Sequence, residues 1–88
     1  MYYVYVLESK KDRKHYIGFT EDLNRRIIEH TKGEVESTKK RRPLELVYYE
    51  AYKYEKDARR QELLYKTGQG RRILQKRLRN KFDLGEVA

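Results

Sequence analysis

Apolar and aromatic side chains fill both parities of the run Tyr2-Tyr3-Val4-Tyr5-Val6-Leu7, with Tyr3, Tyr5 and Leu7 alternating against Tyr2, Val4 and Val6. A strand whose two faces are both apolar is one covered on both sides. The polar stretch Glu8–Lys14 interrupts the pattern and reads as a hairpin connection, without an Asn-Gly type turn. It leads to a second strand, His15-Tyr16-Ile17, that stops at Gly18. From Phe19 to His30 the period becomes helical. Leu23 and Ile27 mark the buried stripe, Thr20 is placed to cap the helix, and Glu21 and Asp22 put negative charge in its first turn. Gly33 reads as its stop.

Residues 33–43 form a loop that begins acidic and ends basic, closed by Pro43, which biases Arg42 towards an extended backbone. Leu44–Tyr52 reads as a third strand and Glu55–Lys66 as a second helix ended by Gly68. A third helix, Arg71 to about Phe82, follows Gly70 with Leu74 and Leu78 on its inner stripe. The order β-β-α-β-α-α predicts an α+β fold, a three-stranded antiparallel sheet flanked by helices, as one domain over residues 1–88.

Charge changes the picture next. The chain has 22 basic against 14 acidic residues, a net charge of +8, and no cysteine. Disulfides and thiolate metal sites are therefore excluded. The basic residues cluster at Lys39, Lys40, Arg41 and Arg42 and again from Arg71 and Arg72 to Lys81. Such clustering favours a polyanion, nucleic acid above all, over an evenly solvated surface. Thr38 to Arg42 and the third helix accordingly read as phosphate-contacting surface, the alternative being a solvated charge run. No apolar run approaches membrane-spanning length and no leader pattern opens the chain, so a cytoplasmic location is expected.

Candidate chemistry rests on a few polar side chains. Ala58, Glu62 and Tyr65 share one helical line, so the Glu62 carboxylate lies on a stripe that partly faces the core. It then needs a basic partner, a metal or neutralisation. Arg26 and His30 are four apart and share a helix face. Tyr5 and Tyr16 are good strand residues, and core packing accounts for them equally well on propensity alone.

The ordered set Tyr3-Val4-Tyr5, Tyr16-Ile17-Gly18, Gly18-Phe19-Thr20, Arg25-Arg26, His30, Thr38 to Pro43 and Glu62 resembles the GIY-YIG nuclease superfamily. The likeness is greatest to its small single-domain members and to UvrC-type N-terminal nuclease domains, and it covers nearly the whole chain. The resemblance implies a metal-dependent endonuclease that hydrolyses phosphodiester bonds of DNA, with repair or recombination as its setting. Glu62 would hold a single Mg²⁺ or Mn²⁺, and Tyr16 would activate the attacking water with Tyr5 in support. Arg26 would pair with the scissile phosphate and His30 would assist proton transfer. Lys39, Lys40, Arg41, Arg42, Arg71 and Arg72 would contact nucleic acid, and a protein partner could supply targeting. The alternative is a nucleic-acid-binding module that kept the fold without turnover. The chain departs from the family pattern at Tyr3, which stands where the first motif has glycine. It departs again at Leu74, reached by counting from Glu62 to the place of an asparagine found in many members; Asn80 lies further on.

Overall fold

In the computed structural model, three antiparallel strands, β1 (Tyr2–Ser9), β2 (His15–Thr20) and β3 (Leu44–Tyr52), form one sheet in the order β2-β1-β3. Three helices complete the order expected from the sequence: α1 (Leu23–Thr31), α2 (Glu55–Tyr65) and α3 (Gly68–Val87). The structure describes the backbone of residues 1–87 and the side chains of residues 1–78; Asn80 and Lys81, named above, lie outside the described side chains. Among the described residues no helix is long and apolar enough to cross a membrane.

β1 is the central strand, which is why neither of its faces is polar. Val4 and Val6 are buried against Ala58 and Tyr65 of α2 and Leu74 of α3. Burying a valine or leucine fully contributes about 1.5–3 kcal/mol, so this cluster is a main source of stability. Tyr5 points to the opposite face, towards α1, and is also buried.

The structure corrects several boundaries. β2 does not stop at Gly18 but continues to Thr20, because Phe19 pairs with Val4 and Thr20 with Tyr3. The Phe19 ring stacks on Tyr2 at 6.3 Å and lies under the Arg59 guanidinium at 4.1 Å. α1 accordingly starts later, at Leu23. Its cap is Asp22, whose Oδ1 accepts from the Arg25 N–H (3.1 Å), not Thr20. Thr20 closes the preceding turn instead, its Oγ1 accepting from the Asp22 N–H (3.1 Å).

In sequence Gly68 reads as the end of the second helix and Gly70 as the residue before the third; in the structure Gly70 is a packing device. α3 begins at Gly68, so Gly70 lies in its first turn. A Cβ at Gly70 would overlap the Leu64 carbonyl at the end of α2, so a missing side chain lets the two helices meet. The signal for close approach is the same letter as the signal for a break. The 33–43 loop is also more ordered than expected, with a 3₁₀ turn at Lys39–Arg41. The Ser9 hydroxyl donates to the Arg41 carbonyl (2.6 Å), and the Lys10 N–H donates to the Pro43 carbonyl (2.8 Å). Arg42 is extended before Pro43, as expected (φ −70°, ψ 154°).

On the helix-covered face away from α1, Glu50 of β3 accepts from the hydroxyls of Tyr48 (2.6 Å), Tyr52 (2.5 Å) and Tyr65, with Arg77 of α3 at 3.6 Å. Burial opposes its charge, but the three hydroxyls and Arg77 together hold the carboxyl below its usual range. Three tyrosine hydroxyls and two carboxylate oxygens thus consume one another's polarity inside the interface that seats α3.

Candidate active site and nucleic-acid groove

The site grows from strand register. Tyr5 pairs with Gly18 and Leu7 with Tyr16, so Tyr5, Gly18 and Tyr16 share the sheet face that looks at α1. A Cβ at Gly18 would run into the Tyr5 phenol. The glycine of Tyr16-Ile17-Gly18 is therefore the slot in which the Tyr5 ring lies. The two tyrosine rings are 6.4 Å apart, and His30, in the last turn of α1, stands edge-on to Tyr5 at 5.6 Å and to Tyr16 at 5.3 Å.

Hydrogen bonds fix this cluster. Tyr5 Oη lies 2.8 Å from His30 Nε2, and His30 Nδ1 lies 2.7 Å from Thr38 Oγ1. Tyr5 and His30 are each 1% exposed and Thr38 is fully buried. Thr38, read with the basic run as phosphate-contacting surface, is thus corrected to an interior residue. It is turned inward by the 3₁₀ turn while the lysines and arginines after it face out. One helical turn before His30, Arg26 pairs with Glu29 (2.9 Å) and also lies against the Tyr5 hydroxyl.

Burial dominates the protonation states. It pushes the Tyr5 hydroxyl up to about 12, with Arg26 pulling the other way. It pushes His30 down to about 4, and the Arg26 charge adds to that effect. Both groups are neutral near pH 7, and Tyr5 is not a standing phenolate.

The His30 shift carries a consequence for stability. The folded state disfavours the imidazolium, so between about pH 6.5 and about 4 the unfolded chain takes up a proton that the folded chain does not. Stability should therefore fall as pH drops through that window and level off below it, by up to about 3 kcal/mol. Urea unfolding of wild type and His30→Gln at pH 7, 6 and 5 measures this. A wild-type stability that is flat from pH 7 to pH 5, or a loss unchanged in His30→Gln, would contradict it.

Tyr16 is placed differently. It is half-buried and lines a groove of about 860 Å³ between the β1–β2 turn and α3. Arg13, Lys14, Arg41, Lys66 and Arg71 surround the same groove, opposed by Asp12. Arg41 Nε pairs with Asp12 at 3.3 Å. The other cations of the basic loop are disposed elsewhere. Lys39 pairs with Glu36 (3.0 Å), Arg42 donates to the Lys39 and Thr31 carbonyls, and Lys40 and Arg72 are exposed.

Glu62 sits on α2 with a side chain 16% exposed, paired with Lys66 at 3.0 Å. Its charge acts on the Tyr5 hydroxyl. Among the described residues no three His, Asp or Glu side chains gather as a metal cage. A lone carboxylate nevertheless fits Mg²⁺ or Mn²⁺, which bind through one or two carboxylates, waters and substrate phosphates. Lys66 is half exposed, and such a pair is worth at most about 1 kcal/mol, so it does not bar a cation.

Tyr5, Tyr16, Arg26 and His30 are thus brought into one cluster, with Glu62 close enough to act on it electrostatically. Arg13, Lys14 and Lys66 were not among the candidates chosen from sequence. Arg13-Lys14 could have been suspected, because the turn that carries them delivers the chain to Tyr16. Lys66 stands four residues after Glu62, the spacing of a helical ion pair.

Comparison with known proteins gives three findings. The GIY-YIG catalytic domain family matches residues 1–81. A UPF0213 protein of Bacillus pumilus is 39% identical over 67 residues, 75% of this chain and 67% of that protein. The UPF0213 protein SERP0126 of Staphylococcus epidermidis is also 39% identical over 67 residues, covering 75% of this chain and 80% of its own. The solution NMR structure of the UPF0213 protein BH0048 from Bacillus halodurans is similar at a TM-score of 0.53 and 36% identity, covering 84% of this chain and 82% of that one.

Proposed function

The chain belongs to the GIY-YIG catalytic domain family, and from that premise we propose that it is a metal-dependent endonuclease hydrolysing phosphodiester bonds of DNA. Domains of this family are typically nucleases and commonly use divalent metals. The observation that carries the reading is that Tyr16 belongs to two things at once, the Tyr5–His30–Arg26 cluster and the cationic groove.

In this reading Arg13, Lys14, Arg41 and Arg71 hold phosphates along the groove and bring one of them to Tyr16. The Tyr16 hydroxyl orients the attacking water and relays its proton, taking it up while passing its own phenolic proton to solvent, as the water oxygen bonds to phosphorus, the bond from phosphorus to the leaving sugar oxygen breaks, and that oxygen takes a proton from solvent. Arg26 offsets the charge that builds on the phosphate oxygens. Tyr5 stays neutral and, with His30, fixes the position of Tyr16 and Arg26. A Mg²⁺ or Mn²⁺ held by Glu62 would supply Lewis-acid polarisation of the phosphate. The groove is short, so lesion or branch selection in repair or recombination falls to a protein partner.

The competing reading is a nucleic-acid-binding module without turnover. Tyr3 at the glycine position of the first motif and Lys66 on Glu62 favour it.

The groove is tested through salt. For the triple variant Arg13→Ala, Lys14→Ala, Arg71→Ala, the slope of log affinity for duplex DNA against log salt should shrink by roughly 0.9 per lost phosphate contact. Lys39→Ala with Arg42→Ala should change it little. Equal slopes in the triple variant and wild type would remove the groove from the account. Normal binding in Mg²⁺ with no cleavage product at all would favour the module.

A further inference from the structure

The cationic groove reaches the site from one side. A second hollow, of about 480 Å³, opens on the other, where Phe19 and Thr20 of β2 meet Arg25 and Arg26 of α1 and Arg59 of α2. The order along β2 shows it. Residues 15–17 line the groove, Gly18 makes room for the Tyr5 phenol, and residues 19–20 line the hollow. α2 repeats that order. Glu55, Arg59, Glu62 and Lys66 fall on one helix line, with Glu55 and Arg59 at the hollow, Lys66 at the groove and Glu62 between them. Arg26 lines the hollow and Tyr16 lines the groove, and both lie against Tyr5. β2 is an edge strand, with β1 as its one neighbour among the described residues. The two depressions therefore form one trough along that edge, with the site at its middle.

Arg59 is the cation set into the hollow. Its guanidinium lies over the Phe19 ring at 4.1 Å, and Phe19 stacks on Tyr2 at 6.3 Å. Its Nε donates to Glu55 (2.8 Å), and among the described hydrogen bonds its two terminal nitrogens have no acceptor. Three carboxylates oppose the three arginines here. Glu29 pairs with Arg26 (2.9 Å) and lies 3.9 Å from Arg25, Glu55 takes Arg59, and Glu21 is exposed. The Arg59–Glu55 pair is 56% and 47% exposed, and such a pair is weak enough to yield to a phosphate. With its charges balanced, the hollow does not gather a polyanion by itself. It holds a strand that the groove, where cations are in excess, has already drawn in.

We propose that this hollow is a second arm of the DNA site, and that Arg59 holds a backbone phosphate on the far side of the scissile bond from the groove. A guanidinium suits the task, because its fork matches two phosphate oxygens and Phe19 keeps it in place. A strand held in both arms presents an internal phosphodiester to Arg26 and Tyr16. A site closed at one end would accept only a terminus.

The scissile bond in this assignment rests on the proposed nuclease reading, whereas the Arg59 contact needs no turnover and is measured by binding. The test is the salt dependence of duplex-DNA affinity for the whole chain. Arg59→Gln keeps much of the stem over Phe19 and removes the charge, and Arg59→Lys keeps the charge. Arg60, 73% exposed and outside the hollow, is the control. Arg59→Gln should lose roughly 0.9 from the slope of log affinity against log salt, and lose it again when added to the triple groove variant. Arg59→Lys and Arg60→Gln should keep the wild-type slope. A wild-type slope in Arg59→Gln, or an equal loss in Arg60→Gln, overturns the proposal. Wild type should also nick closed circular duplex, which offers no end, and cleavage confined to DNA ends would overturn the two-armed site. The expected slopes with no cleavage of any DNA would support the Arg59 contact and count against the nuclease reading alone.

Discussion

Tyr16→Phe is expected to lower the single-turnover cleavage rate by about a hundredfold or more while the melting temperature and DNA affinity barely move. The ring remains to pack against Tyr5 and His30, and only the phenolic oxygen is lost. Phenol contacts add little to affinity where phosphate charge dominates. Tyr5→Phe should behave in the opposite way. Its hydroxyl is buried against His30 Nε2, so removal leaves a buried ring nitrogen without its partner and costs about 1–3 kcal/mol of stability. The rate should fall less than for Tyr16→Phe, because a hydroxyl kept neutral by burial takes up no proton in the reaction. Thermal melts and single-turnover rates for both variants distinguish the roles. Equal rates for Tyr16→Phe and wild type would end its chemical role, and a collapse of its melting temperature would make Tyr16 a core residue.

Elements whose patterns had one meaning were legible in the sequence. The two apolar faces of Tyr2–Leu7 require a central strand, and β3 runs from Leu44 to Tyr52 as read, because Pro43 bars an earlier start. The four-residue spacing of Arg26 and His30 does put both beside Tyr5. Glycine misled where it had two meanings. Gly18 and Gly70 look like punctuation, yet each is small because something must pass over it, the Tyr5 phenol in one case and the Leu64 carbonyl in the other. No local pattern reports a partner in a different element.

Contacts made through space were illegible for the same reason. Thr38 sits directly before four basic residues, and its burial follows from the turn that separates it from them. Glu50 stands on an exposed-looking β3, with no hint in sequence that Tyr48, Tyr52 and Tyr65 all converge on it. The basic loop gave its charge but not its direction. Arg42 is spent on backbone carbonyls, while Arg41, its neighbour, reaches the groove.

Glu62→Gln tests the central claim most directly. The substitution keeps size and removes charge. The carboxylate is 16% exposed and its ion pair to Lys66 is with a half-exposed lysine, so the fold should lose no more than about 1 kcal/mol. Lewis-acid stabilisation of a phosphoryl transition state is worth several kcal/mol, so cleavage should drop by roughly a thousandfold or more. Duplex affinity in low salt should stay within a few-fold of wild type, since groove cations carry it. The measurement is single-turnover nicking of labelled linear and branched DNA by wild type and Glu62→Gln across a titration of Mg²⁺ and Mn²⁺, with chelator as the zero point. The account predicts metal-dependent product from wild type, none with chelator, and none from Glu62→Gln at any metal concentration. Nicking by Glu62→Gln equal to wild type throughout, or no product from wild type on any DNA it binds, would contradict it.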